Sequence, residues 1–154
     1  MPDTYVAVVG AINIDIWGKS NSILILHDSN PGEIHYSFGG VGRNIAHNLS
    51  LMGQRVSMLT AIGDDHWGPQ VRNTCAKIGI DLSHAFLVPG ARTGTYLAFS
   101  GPDGDMAIAM SDMAIAEAIS RQLGETGCKA SVTHRDMALE QAHVKARMEY
   151  RGDE

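Results

Sequence analysis

Phe38-Gly39-Gly40-Val41-Gly42-Arg43-Asn44-Ile45-Ala46-His47-Asn48-Leu49 is the stretch from which the rest of the chain can be read. A pair of glycines opens it. A helical pattern follows, with Ile45, Leu49 and Met52 at i, i+4 and i+7 and Gly53 as its stop. Adjacent glycines at a helix entrance permit unusual φ angles and close approach of a ligand to the backbone. The first helical turn has N–H groups without intrahelical partners. Arg43 and Asn44 add side-chain donors there. The combination suits a ligand rich in hydroxyls or negative charge. The same residues also fit a glycine-rich loop that only turns the chain.

Upstream, Val6-Ala7-Val8-Val9-Gly10 reads as a buried central strand of an α/β sheet, running on into Ala11–Trp17. Polar and apolar residues alternate in that continuation, so Asn13 and Asp15 share a face near the strand's C-terminal end. Ligands of open α/β sheets bind at that edge, and a carboxylate can accept hydrogen bonds from two sugar hydroxyls. Asp15 equally fits a plain loop cap. Ile23-Leu24-Ile25-Leu26 and His35-Tyr36-Ser37-Phe38 are strand-like, and Asp28-Ser29-Asn30-Pro31-Gly32 between them is a dense turn signal. This predicts a small antiparallel excursion over 18–38.

Downstream, 55–62 reads as a strand ended by Gly63-Asp64-Asp65. A helix begins near His66, capped by Asp64 or Asp65, with Pro69 in its first turn. Its apolar stripe is Trp67, Val71, Cys75 and Ile78, and Gly79 stops it. The β-α-β-α order predicts a parallel sheet in which 5–12 and 55–61 are neighbours. Phe86–Val88, Thr93–Phe99 and Met106–Met110 read as further strands, the last two joined by a turn at Pro102-Asp103-Gly104-Asp105. Ala114 to Leu123 fits a short helix with Ile115, Ile119 and Leu123 aligned, and 134–150 is charged and weakly amphipathic.

The 154 residues suit one domain, and 44% hydrophobic with 19% charged residues predicts a globular core. A formal charge of −5 argues against a general nucleic-acid binder. Cys75 and Cys128 make no disulfide framework, and Cys75 reads as a small buried hydrophobe. The seven histidines show no metal-ligand spacing. No apolar run is long enough to span a membrane, and the N-terminus has no signal-peptide pattern, so the cytoplasm is expected.

Gly39-Gly40-x-Gly42-x-Asn44, Gly63-Asp64-Asp65-x-x-Gly68 and Asn13-x-Asp15 resemble, in the right order, landmarks of the ribokinase-like (PfkB) carbohydrate kinases. The resemblance covers about Tyr5 to Met113, the N-terminal half of that family. Asp28–Gly32 joined to Gly39–Ala46, Thr93-Gly94-Thr95-Tyr96 and Asp103-Gly104-Asp105-Met106 are most similar to the branch acting on pseudouridine.

The resemblance implies an α/β, partial ribokinase-like fold: a parallel sheet with flanking helices plus a small β lid, the C-terminal half of the fold being absent. Residues 1–113 would be the substrate-binding half, with lid segments at about 18–38 and 86–110, and 114–154 a helical, atypical tail. It implies transfer of the γ-phosphoryl group of ATP, with Mg²⁺, to a ribose 5′-hydroxyl. Asn13, Asp15, Gly39, Gly40 and Asn44 would hold the sugar or nucleoside, with Asp15 and Asn44 converging on one cavity. A homodimer through the lid is also implied.

The family's catalytic base is an aspartate in a Gly-Ala-Gly-Asp signature that lies in its C-terminal half with the ATP site. No such sequence occurs here, and Arg151-Gly152-Asp153-Glu154 lacks the glycine-rich approach. The expectation is therefore a truncated chain, inactive alone, without assigned catalytic, ATP or metal residues. The alternative is a non-catalytic nucleoside-binding or interaction module. A Rossmann-type dinucleotide site does not fit, because the glycines do not directly follow a buried strand and Ile45 stands where a third glycine would.

Overall fold

The computed structural model describes residues 5–125. The readings of the tail beyond these, the 134–150 pattern, Cys128 and the terminal Arg151–Glu154 included, lie outside the described residues. Parallel strands form the body. β1 (Val6–Val9) pairs with β4 (Val56–Leu59) in the register Val6↔Val56 to Val9↔Leu59, and β4 pairs in turn with β6 (Ile80–Asp81). Beyond Thr60, β5 (Ala61–Gly63) runs parallel to β7 (Phe86–Val88). Phe86 N donates to Thr60 O at 2.8 Å, carrying the parallel pairing across the break in the expected 55–62 strand. The parallel neighbours expected at 5–12 and 55–61 are thus present. β1 is not the centre, however: β4 is flanked on both sides, while Val6 and Ala7 at the start of β1 are exposed.

α1 (Val41–Leu51) and α2 (Trp67–Lys77) pack against these strands, ending before Gly53 and Gly79, both at positive φ. The stripe expected on α2 is realised, with Val71 and Cys75 buried and Trp67 and Ile78 packed on the same core. α1 differs. Its buried residues are Gly42 and Ala46, while Ile45 is 49% and Met52 73% exposed. The helix turns its small residues inward because it lies almost on β1's end: a Cβ on Gly42 would come within 2.9 Å of Gly10 Cα. Ile12, Ile14, Met58 and Ile62 complete the main core. α3 (Ala116–Glu125) buries Ile115, Ile119 and Leu123 in a second cluster with Ala61, as their spacing predicts.

A second sheet, in the order β3-β2-β8-β9, stands beside the body. β2 (Asn13–Ser20) is antiparallel to β3 (Gly32–Gly39) and parallel to β8 (Gly94–Ser100); β8 is antiparallel to β9 (Met106–Asp112). This is the expected lid, with three corrections. Val6–Trp17 is not one strand, because strand structure is interrupted at 10–12 and Asn13–Trp17 belongs to the lid sheet. Ile23–Leu26 is not a strand: the Asn30 amide accepts from Ile25 N (2.7 Å) and donates to Ile25 O (2.9 Å), taking the groups a ladder would use. Phe86–Val88 pairs with β5 in the body, so the second lid segment starts at β8. At the lid's root, Trp67 packs edge-to-face on Tyr36 and Phe38, with centroids 5.6 and 6.5 Å away.

Candidate functional site

Period-two alternation along β2 gives the lid sheet two unlike faces. Ile14, Ile16, Phe38, Leu97 and Phe99 share one. Asn13 and Asp15 lie on the other. The register sets Asn13 between Gly39 and Gly94, and Asp15 between Ser37 and Tyr96. Asn13 therefore has no neighbouring side chain on either flank, and the backbone itself forms the floor there.

Asn13 Nδ2 donates to Asp15 Oδ1, fixing the pair as a unit. The carboxylate folds over Gly39, where an added Cβ would fall on Oδ2. Gly40 has φ 100°, and a Cβ there would come within 2.5 Å of Ala11 O and 2.8 Å of Asn13 Oδ1. Gly40 is thus required by contact with the backbone and by conformation, whereas a side chain at Gly39 would displace the Asp15 carboxylate from its present place. Burial pushes the Asp15 carboxyl up from the ordinary aspartate value, while the Asn13 amide and the Arg43 charge pull against it; burial prevails.

The structure brings Asn13, Asp15, Gly39 and Gly40 into direct contact. Asn44 joins through the backbone, its N–H donating to Gly40 O at 2.9 Å. Its side chain is exposed and accepts at Oδ1 from Arg43 Nη1 (3.1 Å). Arg43 stands outside the candidate residues; the signal for it was its place as a donor on the first helical turn.

The Gly63-Asp64-Asp65 landmark has a different task. Asp65 Oδ1 accepts from Trp67 N and Gly68 N (3.1 Å each) and from Thr93 Oγ1 (2.8 Å), and Oδ2 accepts from Thr93 N (2.8 Å). Asp64 accepts from Gly90 N at 2.9 Å. Asp65 caps α2, and the two aspartates together tie the loop before β8 to the body. Burial tends to raise the Asp65 pKa, but the hydrogen bonds from Thr93, Gly68 and Trp67 outweigh it and hold the carboxyl below its ordinary value.

A groove of about 540 Å³ lies elsewhere, between the 24–30 loop and the apolar side of the lid, against Ile34, Phe99 and Ile108. It includes neither Asn13 nor Asp15. Among the described residues no group of three or more histidine, cysteine or acidic side chains could hold a metal ion.

A family model described as pfkB family carbohydrate kinase matches residues 3–133. The match continues past Met113 and through α3, where the sequence reading ended the resemblance. A pseudouridine kinase from Escherichia coli K12 is 40% identical over 118 residues, covering 77% of this chain and 38% of that protein. The chain thus spans well under half the length of that relative. A carbohydrate kinase structure from Agrobacterium tumefaciens superposes with TM-score 0.66 at 32% identity, covering 71% of this chain and 35% of that one. A ribokinase from Cryptococcus neoformans in complex with ADP gives TM-score 0.58 at 25% identity, covering 69% and 33%.

Proposed function

The chain belongs to the pfkB family of carbohydrate kinases, and we propose that its described residues form the acceptor site of a nucleoside kinase, with pseudouridine as the molecule phosphorylated at its ribose 5′-hydroxyl. The observation that carries this reading is the Asn13–Asp15 pair seated on Gly39 and Gly40. An ionised carboxylate only accepts, so it pairs with hydroxyls that donate. Two adjacent ribose hydroxyls match Asp15, and Asn44 Nδ2 can donate to one of them in return. The bare glycine floor lets the sugar approach the backbone. Holding the acceptor in one orientation is the main task a phosphoryl transfer sets its acceptor side. The 40% identity to a pseudouridine kinase supports the choice of nucleoside.

By family, ATP with Mg²⁺ is the donor, and the ADP in the related ribokinase agrees with that. Among the described residues no donor set for these groups is identified, and the sequence has no Gly-Ala-Gly-Asp stretch. No step through ATP, metal or a catalytic base is therefore assigned to this chain. We place a second copy of the chain on the apolar face of the lid, and the protein in the cytoplasm with the small molecules it acts on.

Thermal unfolding of the full chain with pseudouridine, ribose and NAD tests the acceptor reading. Pseudouridine is expected to raise the midpoint, ribose less, and NAD not at all. A shift with NAD alone would favour a dinucleotide site. With ATP and Mg²⁺ added, the 154-residue chain by itself is expected to bind pseudouridine without phosphorylating it; turnover would show donor-side groups in the chain.

A further inference from the structure

We propose that Arg43 is a positioning residue of the acceptor site: its Nη1 holds Asn44 Oδ1 (3.1 Å), which leaves Nδ2 as the amide's contribution to the ligand. This rests on the acceptor reading above and extends it to a residue outside the direct contacts.

An unrestrained asparagine amide can present either oxygen or nitrogen, and beside a carboxylate only the nitrogen complements a hydroxyl pair. Asp15 accepts. A hydroxyl that donates to Asp15 still has lone pairs, and Nδ2 of Asn44 can fill one. On the acceptor reading, in which Asp15 and Asn44 serve the same hydroxyls, an amide turned over would set two acceptors against them and leave one unpaired. The Arg43–Asn44 bond selects the useful orientation before the ligand arrives. The Arg43–Asn44 bond is exposed, while Arg43 Nε, on a half-buried side chain, is buried without a hydrogen-bond partner among the described residues. An unpaired buried donor costs stability, and its presence is easier to understand at a functional position than at a structural one.

The guanidinium has a second effect. Its charge acts on Asp15 through space and favours the ionised, acceptor-only form against burial. The other charged or titratable groups on the Asp15 face are Lys19 on β2, Glu33 and His35 on β3, and Tyr96 on β8. His35 contacts Glu33 at 3.3 Å, and Tyr96 donates to Met106 Sδ at 3.4 Å. None of them bonds to Asp15, whose partner is Asn13.

Calorimetric titration of the full chain with pseudouridine, over a pH series, tests this with Arg43→Met, Arg43→Lys, Asn44→Ala and the double variant Arg43→Met/Asn44→Ala. Arg43→Met is expected to weaken binding about tenfold, the scale of one charge-assisted hydrogen bond. It should also move the acid limb of the affinity profile to higher pH. Arg43→Lys keeps the charge and loses the planar fork, so the acid limb should stay while affinity falls. In the Asn44→Ala background, Arg43→Met should cost much less than alone, because the amide it orients is gone. Additive losses in the double variant, or wild-type affinity and acid limb in Arg43→Met, would overturn the proposal. If Arg43→Met does not fold, the coupling is read from Arg43→Lys with Asn44→Ala, and additivity there overturns it equally. Asp15→Ala separates the two levels. Unchanged affinity in that variant removes the acceptor reading itself; lost affinity beside an inert Arg43 removes only this inference.

Discussion

Asp15, within β2, and Asp65, in the turn between β5 and α2, are both aspartates, and their surroundings drive them in opposite directions. Asp15 sits where burial prevails, so its carboxyl is raised; folding favours its protonated form, and that contribution is lost as pH rises through the folded pKa. The site thus spends some stability to hold an ionised acceptor. Asp65 is lowered, because four donated hydrogen bonds outweigh its burial. Its stabilisation is full above the ordinary aspartate pKa and is lost as pH falls through the depressed one. Asp65→Ala is predicted to cost about 1–2 kcal/mol, the range for a lost helix cap, and to flatten the acid limb of stability. Urea unfolding across pH checks both; an unchanged midpoint would show that the cap is carried elsewhere. At this scale the sequence was informative where pattern sufficed. Alternation put Asn13 and Asp15 on one face, and Asp64 or Asp65 before a Pro-bearing helix start read as a cap, the role Asp65 fills. Arg43 was less legible, since the bond to its own neighbour depends on a rotamer that spacing does not report.

α1 shows why an element can be located from sequence and its orientation missed. Ile45, Leu49 and Met52 have the spacing of a buried stripe, yet the helix is rotated so that Gly42 and Ala46 face the strands and only Leu49 of the three joins the core. Apolar spacing says which face is greasy; it does not say that another helix face must come within contact distance of Gly10, just past the end of β1. Gly42→Ala is therefore predicted to destabilise by about 1–3 kcal/mol, the range for overpacking, since the new methyl would meet Gly10 Cα at 2.9 Å and Met58 Cε at 3.1 Å. A stability within 0.3 kcal/mol of wild type, about the scale of a neutral substitution, would contradict the close contact. The lid strands carry a related lesson. Alternation over 13–17 identified a strand but not its sheet, because side-chain period does not report that the chain leaves the body's strand at 10–12. Ile23–Leu26 had strand composition, and a single side chain, Asn30, took both backbone groups of Ile25.

At the scale of the molecule, the body and lid place one polar and one apolar face on opposite sides of the same sheet. The polar face carries Asn13 and Asp15. The apolar one leaves Ile34 71% and Met110 66% exposed, with Ile108 and Phe99 between them. Contiguous exposure of that kind marks an interaction surface. With a second copy as its occupant, sedimentation of the wild-type chain should show concentration-dependent dimers, and Ile34→Lys/Ile108→Lys should return monomers; a wild-type monomer at high concentration would leave the dimer without support. The central claim concerns the other face, and calorimetric titration of pseudouridine into the wild-type chain and Asp15→Ala tests it most directly. The account predicts binding by wild type and a loss of about 1.5–3 kcal/mol in the variant, the range for hydrogen bonds to a charged group, or roughly 10- to 150-fold in Kd. Equal affinity in the two proteins would contradict it.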